Sequence, residues 1–214
     1  MSEAQAQWIA DPHAVRLFPT FVWRAELADD LRARVNASAL RAIEELGGSR
    51  PPLQPGQGWQ SPQDLHRRAP FADLVAGIDA ATAELRRYLK IGHDALDITG
   101  CWLNVLAPGA AHAAHSHPNN FLSGAYYVKT QAGAETVNFH DPRPQTGIIR
   151  PPVTELTADN TDQVVLRVTP GALLLFPAWL VHSVDANQSS EPRISISFNL
   201  MFPRYAETMS KPMW

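Results

Sequence analysis

The chain has 214 residues, 45% apolar and 18% charged, a balance that fits an ordinary globular protein with one substantial core and excludes a disordered one. A formal charge of −3 argues against a dedicated surface for nucleic acid or anionic membrane. The single cysteine, Cys101, excludes an intrachain disulfide, fits a reducing compartment and reads as a small buried residue. Met1 to Gln7 has neither the basic nor the apolar region of a signal peptide. The longest apolar run, Ala172 to Val181, is too short to span a bilayer and contains Pro177. A cytoplasmic, soluble protein is the expectation.

Val15 to Leu27 mixes apolar and β-prone residues around Pro19 and predicts one or two short strands. Asp29 and Asp30 offer an N-cap for an amphipathic helix. Its apolar face is Leu27, Leu31, Val35, Ala39, Ile43 and Leu46, and Gly47-Gly48 stops it. Ser49 to Gln63 holds four prolines and two glycines around Trp59 and reads as a long irregular loop, either a lid or a connector. Pro70 opens a second helix with Phe71, Leu74, Ile78, Leu85 and Leu89 on its apolar side, closing near Gly92.

From Leu96 the period changes to two. Ile98, Gly100, Trp102, Asn104 and Leu106 form one face of a strand, and Thr99, Cys101, Leu103 and Val105 the other. Further strand-like runs are Leu122–Val128, Thr136–Phe139, Val153–Leu156, Val164–Val168, Leu173–Phe176, Leu180–Val184 and Ile194–Phe202. Turn formers at Gly133, Pro142 to Gly147, Pro170-Gly171 and Asn187 to Pro192 separate most of them. Many short strands after two helices predict a mostly β (α+β) sandwich or barrel with the helices packed outside. No repeat or domain boundary interrupts the chain, so residues 1–214 read as one domain.

Chemistry concentrates between Pro108 and Val128, where a small-residue turn is followed by His112, His115 and His117. His115 and His117 are two apart, so on an extended chain both imidazoles face one way and can reach one metal ion. His182, delivered by the buried run after Pro170-Gly171, is the best third ligand. The last strand alternates Arg193, Ser195, Ser197 and Asn199 with Ile194, Ile196, Phe198 and Leu200. One face is polar, and the planar fork of Arg193 suits a carboxylate with Ser195 adding a hydrogen bond.

The segments Gly109 to Val128, Leu175-Phe-Pro-Ala-Trp-Leu-Val-His182 and Arg193-Ile-Ser-Ile-Ser-Phe-Asn199 resemble a 2-oxoglutarate/Fe(II) oxygenase family of largely uncharacterised bacterial proteins. Leu17-Phe-Pro-Thr and Gly58-Trp-Gln-Ser extend the similarity over nearly the whole chain. The resemblance implies a double-stranded β-helix (jelly roll) with iron between its two sheets. It implies His115 and His182 as Fe(II) ligands, Arg193 paired with the distal carboxylate of 2-oxoglutarate, and Ser195 assisting. The implied reaction converts 2-oxoglutarate to succinate and carbon dioxide while hydroxylating a substrate C–H bond. Asn104, on the Trp102 face, and Tyr126, or Tyr127 beside it, are further candidates to hold the keto acid or substrate. One position departs from the common pattern of His-x-Asp/Glu and a distal His, because residue 117 is histidine. Either His117 replaces the carboxylate or the third ligand lies elsewhere, with Asp141 a candidate.

Two other readings share this architecture. Gly109, five residues and then His115-x-His117 also resemble a cupin metal motif, which would bind its metal through three histidines without a keto acid. The glutamate often found after that motif is absent, since Phe121 and Leu122 stand there. A non-catalytic metal-binding jelly roll is the other. A serine hydrolase is disfavoured by the absence of G-x-S-x-G. The partner expected is a small-molecule or peptide substrate, with no nucleic acid and no membrane, and a homodimer is compatible. Ser49–Gln63 and Asp141–Pro152 are expected to shape the pocket, where Arg143 and Arg150 permit an anionic substrate.

Overall fold

The computed structural model describes residues 11–48, 52–92 and 95–204. The first strand, β1 (Trp23–Glu26), leads into α1 (Asp29–Gly47), and β2 (Gly58–Gln60) precedes α2 (Ala72–Tyr88). The period-two region then forms β3 (Asp97–Leu106), β4 (His112–His115), β5 (Leu122–Lys129), β6 (Thr136–His140) and β7 (Gln163–Arg167). It ends in β8 (Ala172–Pro177), β9 (His182–Val184) and β10 (Arg193–Met201). A six-stranded sheet has the order β1-β8-β5-β10-β3-β2, and a four-stranded sheet the order β4-β9-β6-β7. All pairings between these strands are antiparallel. A mostly β architecture with two α-helices among the described residues, as expected, results.

Alternation sorts the larger sheet's side chains onto two faces. Leu103, Val105, Leu173, Leu175, Ile196 and Phe198 pack against the helices, which contribute Val35 and Ala39 from α1 and Leu74, Ile78 and Leu85 from α2. The other face turns towards the smaller sheet. There Tyr127, Leu174 and Phe176 meet Val137, Phe139 and Leu180 in a second, smaller apolar cluster. The rest of that inner face is polar, and the site lies there.

Local chemistry accounts for several departures from expectation. The cap residue of α1 is Ala28, without a side-chain cap bond, and Asp29 and Asp30 lie inside the first turn, where they favour the helix dipole. Pro70 belongs to a 3-10 turn, Ala69–Phe71, that precedes α2. Only Trp23–Glu26 of the run from Val15 pairs as a strand, against β8. Within Ser49–Gln63, residues 49–51 lie outside the described residues, and Gly58–Gln60 forms an edge strand on β3 instead of irregular chain. Val153–Leu156 is not a strand. Val153 and Leu156 are exposed and no neighbouring strand offers this segment a ladder. Ile98 leaves the face of Trp102, because β10 pairs Asn199 with Gly100 and then Leu200 with Ile98, skipping Thr99 in a bulge. No helix among the described residues is long and apolar enough to cross a membrane.

Candidate iron and keto-acid site

The inner ends of β4 and β9 bring the histidines together. His115 pairs directly with His182 across the two strands. His117, two residues beyond β4, is held by its backbone N–H to the Ala178 carbonyl at 2.8 Å, in the turn that leads from β8 to β9. Ligand atoms of His115, His117 and His182 all lie within 4.8 Å of one another. Neighbouring ligands on one ion with bonds of about 2.1 Å stand about 3 Å apart. Modest side-chain rotation therefore closes the set.

Hydrogen bonds fix which nitrogen is free. His115 Nδ1 lies 2.8 Å from the Ala113 carbonyl and His182 Nδ1 lies 3.0 Å from the Leu180 carbonyl. A carbonyl only accepts, so each Nδ1 carries the proton and each Nε2 keeps a lone pair. Phe139 and Phe176 pack on the His182 ring and orient it. Burial holds His182 and His117 near a pKa of about 4, helped by the neighbouring His115. His112 is likewise lowered to about 4, first by burial and then by Arg193 and His115. These three imidazoles are neutral at physiological pH, the state that binds a cation.

A cavity of about 320 Å³ extends from the histidines between the sheets. Arg193, Ser195, Ser197 and Asn104 line it, as the polar alternation of β10 and β3 requires. Arg193 is 3% exposed, yet no carboxylate pairs with it among the described residues. Its guanidinium donates to the Thr136 carbonyl at 3.3 Å and stands 5.2 Å from the centroid of the Tyr127 ring, while Nε has no partner. Burial lowers the Arg193 pKa from its ordinary value, with Tyr127 opposing the shift, and burial raises that of Tyr127. A cation shut away from water without a counter-ion is costly by several kcal/mol. A carboxylate bound in the cavity would offset that cost.

Asn104 is braced rather than idle. Its Oδ1 accepts from Gln60 Nε2 at 2.8 Å and Trp102 Nε1 at 3.2 Å, and its Nδ2 donates to Ser197 Oγ at 2.9 Å. Gln60 comes from the edge strand β2, so that strand closes one wall of the site.

Tyr126 is a correction. Its side chain points to the helices, where the hydroxyl donates to Asn36 Oδ1 at 2.7 Å, and Tyr127 is the tyrosine that lines the cavity. The antiparallel pairing of Tyr127 with Ser195 places those two on one face, and the polar character of Ser195 was the signal in the sequence. Asp141 also lies outside the histidine cluster, with Arg143 Nη2 at 2.6 Å from its Oδ2. Arg150 pairs with Asp162, so neither loop arginine offers an uncompensated charge to a substrate. His112, Trp102 and Gln60 line the cavity without having been singled out as ligands. A larger cavity of about 670 Å³, lined by His66, Asp79 and Thr82 among others, shares no residue with this site.

Residues 100–199 match the family model described as "Putative 2OG-Fe(II) oxygenase". No curated protein matches the sequence. Among solved structures, the fold is similar to the epimerase SnoN in complex with Fe3+, alpha ketoglutarate and nogalamycin RO, with a TM-score of 0.61, 15% identity, and coverage of 86% of this chain and 79% of that one. A Pseudomonas putida prolyl-4-hydroxylase gives a TM-score of 0.59 at 16% identity, covering 86% of this chain and 93% of that one. A prolyl hydroxylase from Trichoplax adhaerens, in complex with a hypoxia inducible factor oxygen degradation domain peptide fragment, gives 0.59 at 13% identity, covering 89% and 87%. At such identities the likeness speaks for the fold, and the family match speaks for the chemistry. Through residues 100–199 the chain matches the 2OG-Fe(II) oxygenase family, whose enzymes work with Fe(II) and 2-oxoglutarate.

Proposed function

We propose that the chain is one jelly-roll domain in which His115, His117 and His182 hold Fe(II) and Arg193 receives the distal carboxylate of 2-oxoglutarate. The observation that carries this reading is Arg193 itself, buried without an acid partner among the described residues on the wall of the cavity that the three histidines share. The strand order supports the jelly roll, since the chain from β3 onwards crosses repeatedly between the two sheets. When bound, Fe(II) and 2-oxoglutarate supply dioxygen activation coupled to decarboxylation of the keto acid to succinate, with hydroxylation of a substrate C–H bond.

The protein's own tasks follow from the residues. His115 and His182 present Nε2 in fixed tautomers, so binding requires no proton rearrangement on either ring. Three neutral imidazoles leave the ion's full charge in place, and a dianionic keto acid offsets it together with the charge of Arg193. Ser195 lies on the same face as Arg193 and offers a hydroxyl to the same carboxylate. The apolar cluster of Phe139, Phe176 and Leu180 limits water behind His182. His115 is exposed, so the metal is approached from the open end of the cavity, which suits a small molecule or a protruding peptide side chain.

Oxygen-free titration of the Fe(II)-loaded protein with 2-oxoglutarate tests the reading. Saturable binding of one equivalent, lost in Arg193→Ala, is expected. A protein that binds metal yet ignores the keto acid would favour the three-histidine cupin alternative.

A further inference from the structure

We propose that His112 is a positioning residue for the keto acid, donating a ring N–H to the distal carboxylate beside Arg193. The inference rests on the oxygenase reading above.

His112 opens β4, three residues before His115, and pairs with Val184 of β9. Its ring stands edge-on to that of His115, with centroids 6.4 Å apart, and it lines the same cavity as Arg193. Arg193 is near enough to act on its electrostatics. The ring therefore shares one cavity with the metal ligands and the guanidinium. A five-carbon keto acid held by both would have the His112 ring as a third polar group on the cavity wall.

The hydrogen-bond inventory separates His112 from its neighbours. His115 and His182 each spend Nδ1 on a carbonyl, and His140 Nε2 meets Ser183 Oγ at 2.9 Å. Neither ring nitrogen of His112 has a partner among the described residues. It also stands outside the cluster whose ligand atoms converge. A half-buried imidazole that neither bonds to protein nor joins the metal set has a donor and an acceptor to offer to a cavity occupant. The carboxylate that Arg193 awaits accepts only, and a planar guanidinium satisfies one side of it.

The test is calorimetric binding of 2-oxoglutarate and of pyruvate, a keto acid without the distal carboxylate, to the Mn(II)-loaded protein. Wild type, His112→Ala and His112→Gln are compared. A hydrogen bond to a charged group predicts that His112→Ala weakens 2-oxoglutarate by about tenfold or more. Pyruvate and Mn(II) affinities stay within about twofold, and the glutamine, which retains an N–H donor, recovers part of the loss. A general packing defect would instead weaken both keto acids alike, and that overturns the proposal. Equal 2-oxoglutarate binding by wild type and His112→Ala also overturns it while leaving the oxygenase reading intact. Reduced Mn(II) affinity in His112→Ala would make the residue a metal ligand and overturn the positioning role. Failure of wild type itself to bind 2-oxoglutarate would overturn the parent reading, and this inference with it.

Discussion

Arg193 joins deep burial and a positive charge with no acid partner among the described residues, a combination that a folded interior tolerates only at a cost. Replacing such a charge by an apolar residue of similar length is neutral or stabilising when its role is functional. Arg193→Met is therefore expected to keep or raise the unfolding temperature of the metal-free protein by up to several degrees, while 2-oxoglutarate affinity falls at least about a hundredfold. Thermal unfolding and calorimetry on one sample decide it, and a marked loss of stability would make the guanidinium structural. The histidines carry a pH signature. His112, His117 and His182 titrate near 6.5 in the unfolded chain and at about 4 in the fold, so between those values the unfolded chain binds protons that the folded one does not. Stability of the metal-free protein then falls as pH drops from about 6.5 towards 4 and is level above that window. Unfolding temperatures from pH 8 to 4.5 should show this slope, and His182→Gln should reduce it by about a third. A slope unchanged by the variant would contradict the assignment.

Strands with two working faces organise the next scale. Alternation in β10 turns Arg193, Ser195 and Ser197 to the cavity and Ile194, Ile196 and Phe198 to the helices. The layer is tight where β5 crosses it. A Cβ on Gly124 would meet Phe198 Cζ at 2.3 Å and the Leu174 carbonyl at 2.6 Å. The backbone oxygen cannot yield, so Gly124→Ala is expected to destabilise by about 1–3 kcal/mol or more, read from denaturant midpoints. A change under about 0.5 kcal/mol would show the layer to be looser than these distances imply. Long periodic elements were legible in the sequence: α1, α2, the polar face of β10 and most of β3 follow from spacing alone. Tyr126 and Ile98 were misplaced for a different reason. Which face of β5 turns inward depends on its register with β10, and the bulge at Thr99 comes from non-local pairing. Gly58–Gln60 hides in a proline-rich run because an edge strand this short has no period to detect.

At the scale of the whole molecule, the helices cover one face of the larger sheet and the smaller sheet part of the other. The histidine cluster is thus backed by Phe139, Phe176 and Leu180, while β3 and β10 keep polar atoms at the far wall. Motif positions separated by more than sixty residues, His115 and His182, meet because β4 and β9 pair in the smaller sheet. The sequence could place both histidines on strands or beside them, but the third ligand stayed open between His117 and Asp141. Their surroundings differ: a backbone bond to Ala178 holds His117 in the cluster with His115 and His182, whereas Asp141 lies outside it and pairs with Arg143. An oxygenase working with iron and a keto acid forms succinate from 2-oxoglutarate even without added substrate, measured in wild type, Arg193→Ala and His182→Ala. Slow succinate release by wild type, dependent on Fe(II) and lost in both variants, is the predicted result. Absence of succinate from iron-loaded wild type, or full turnover in Arg193→Ala, would contradict the account.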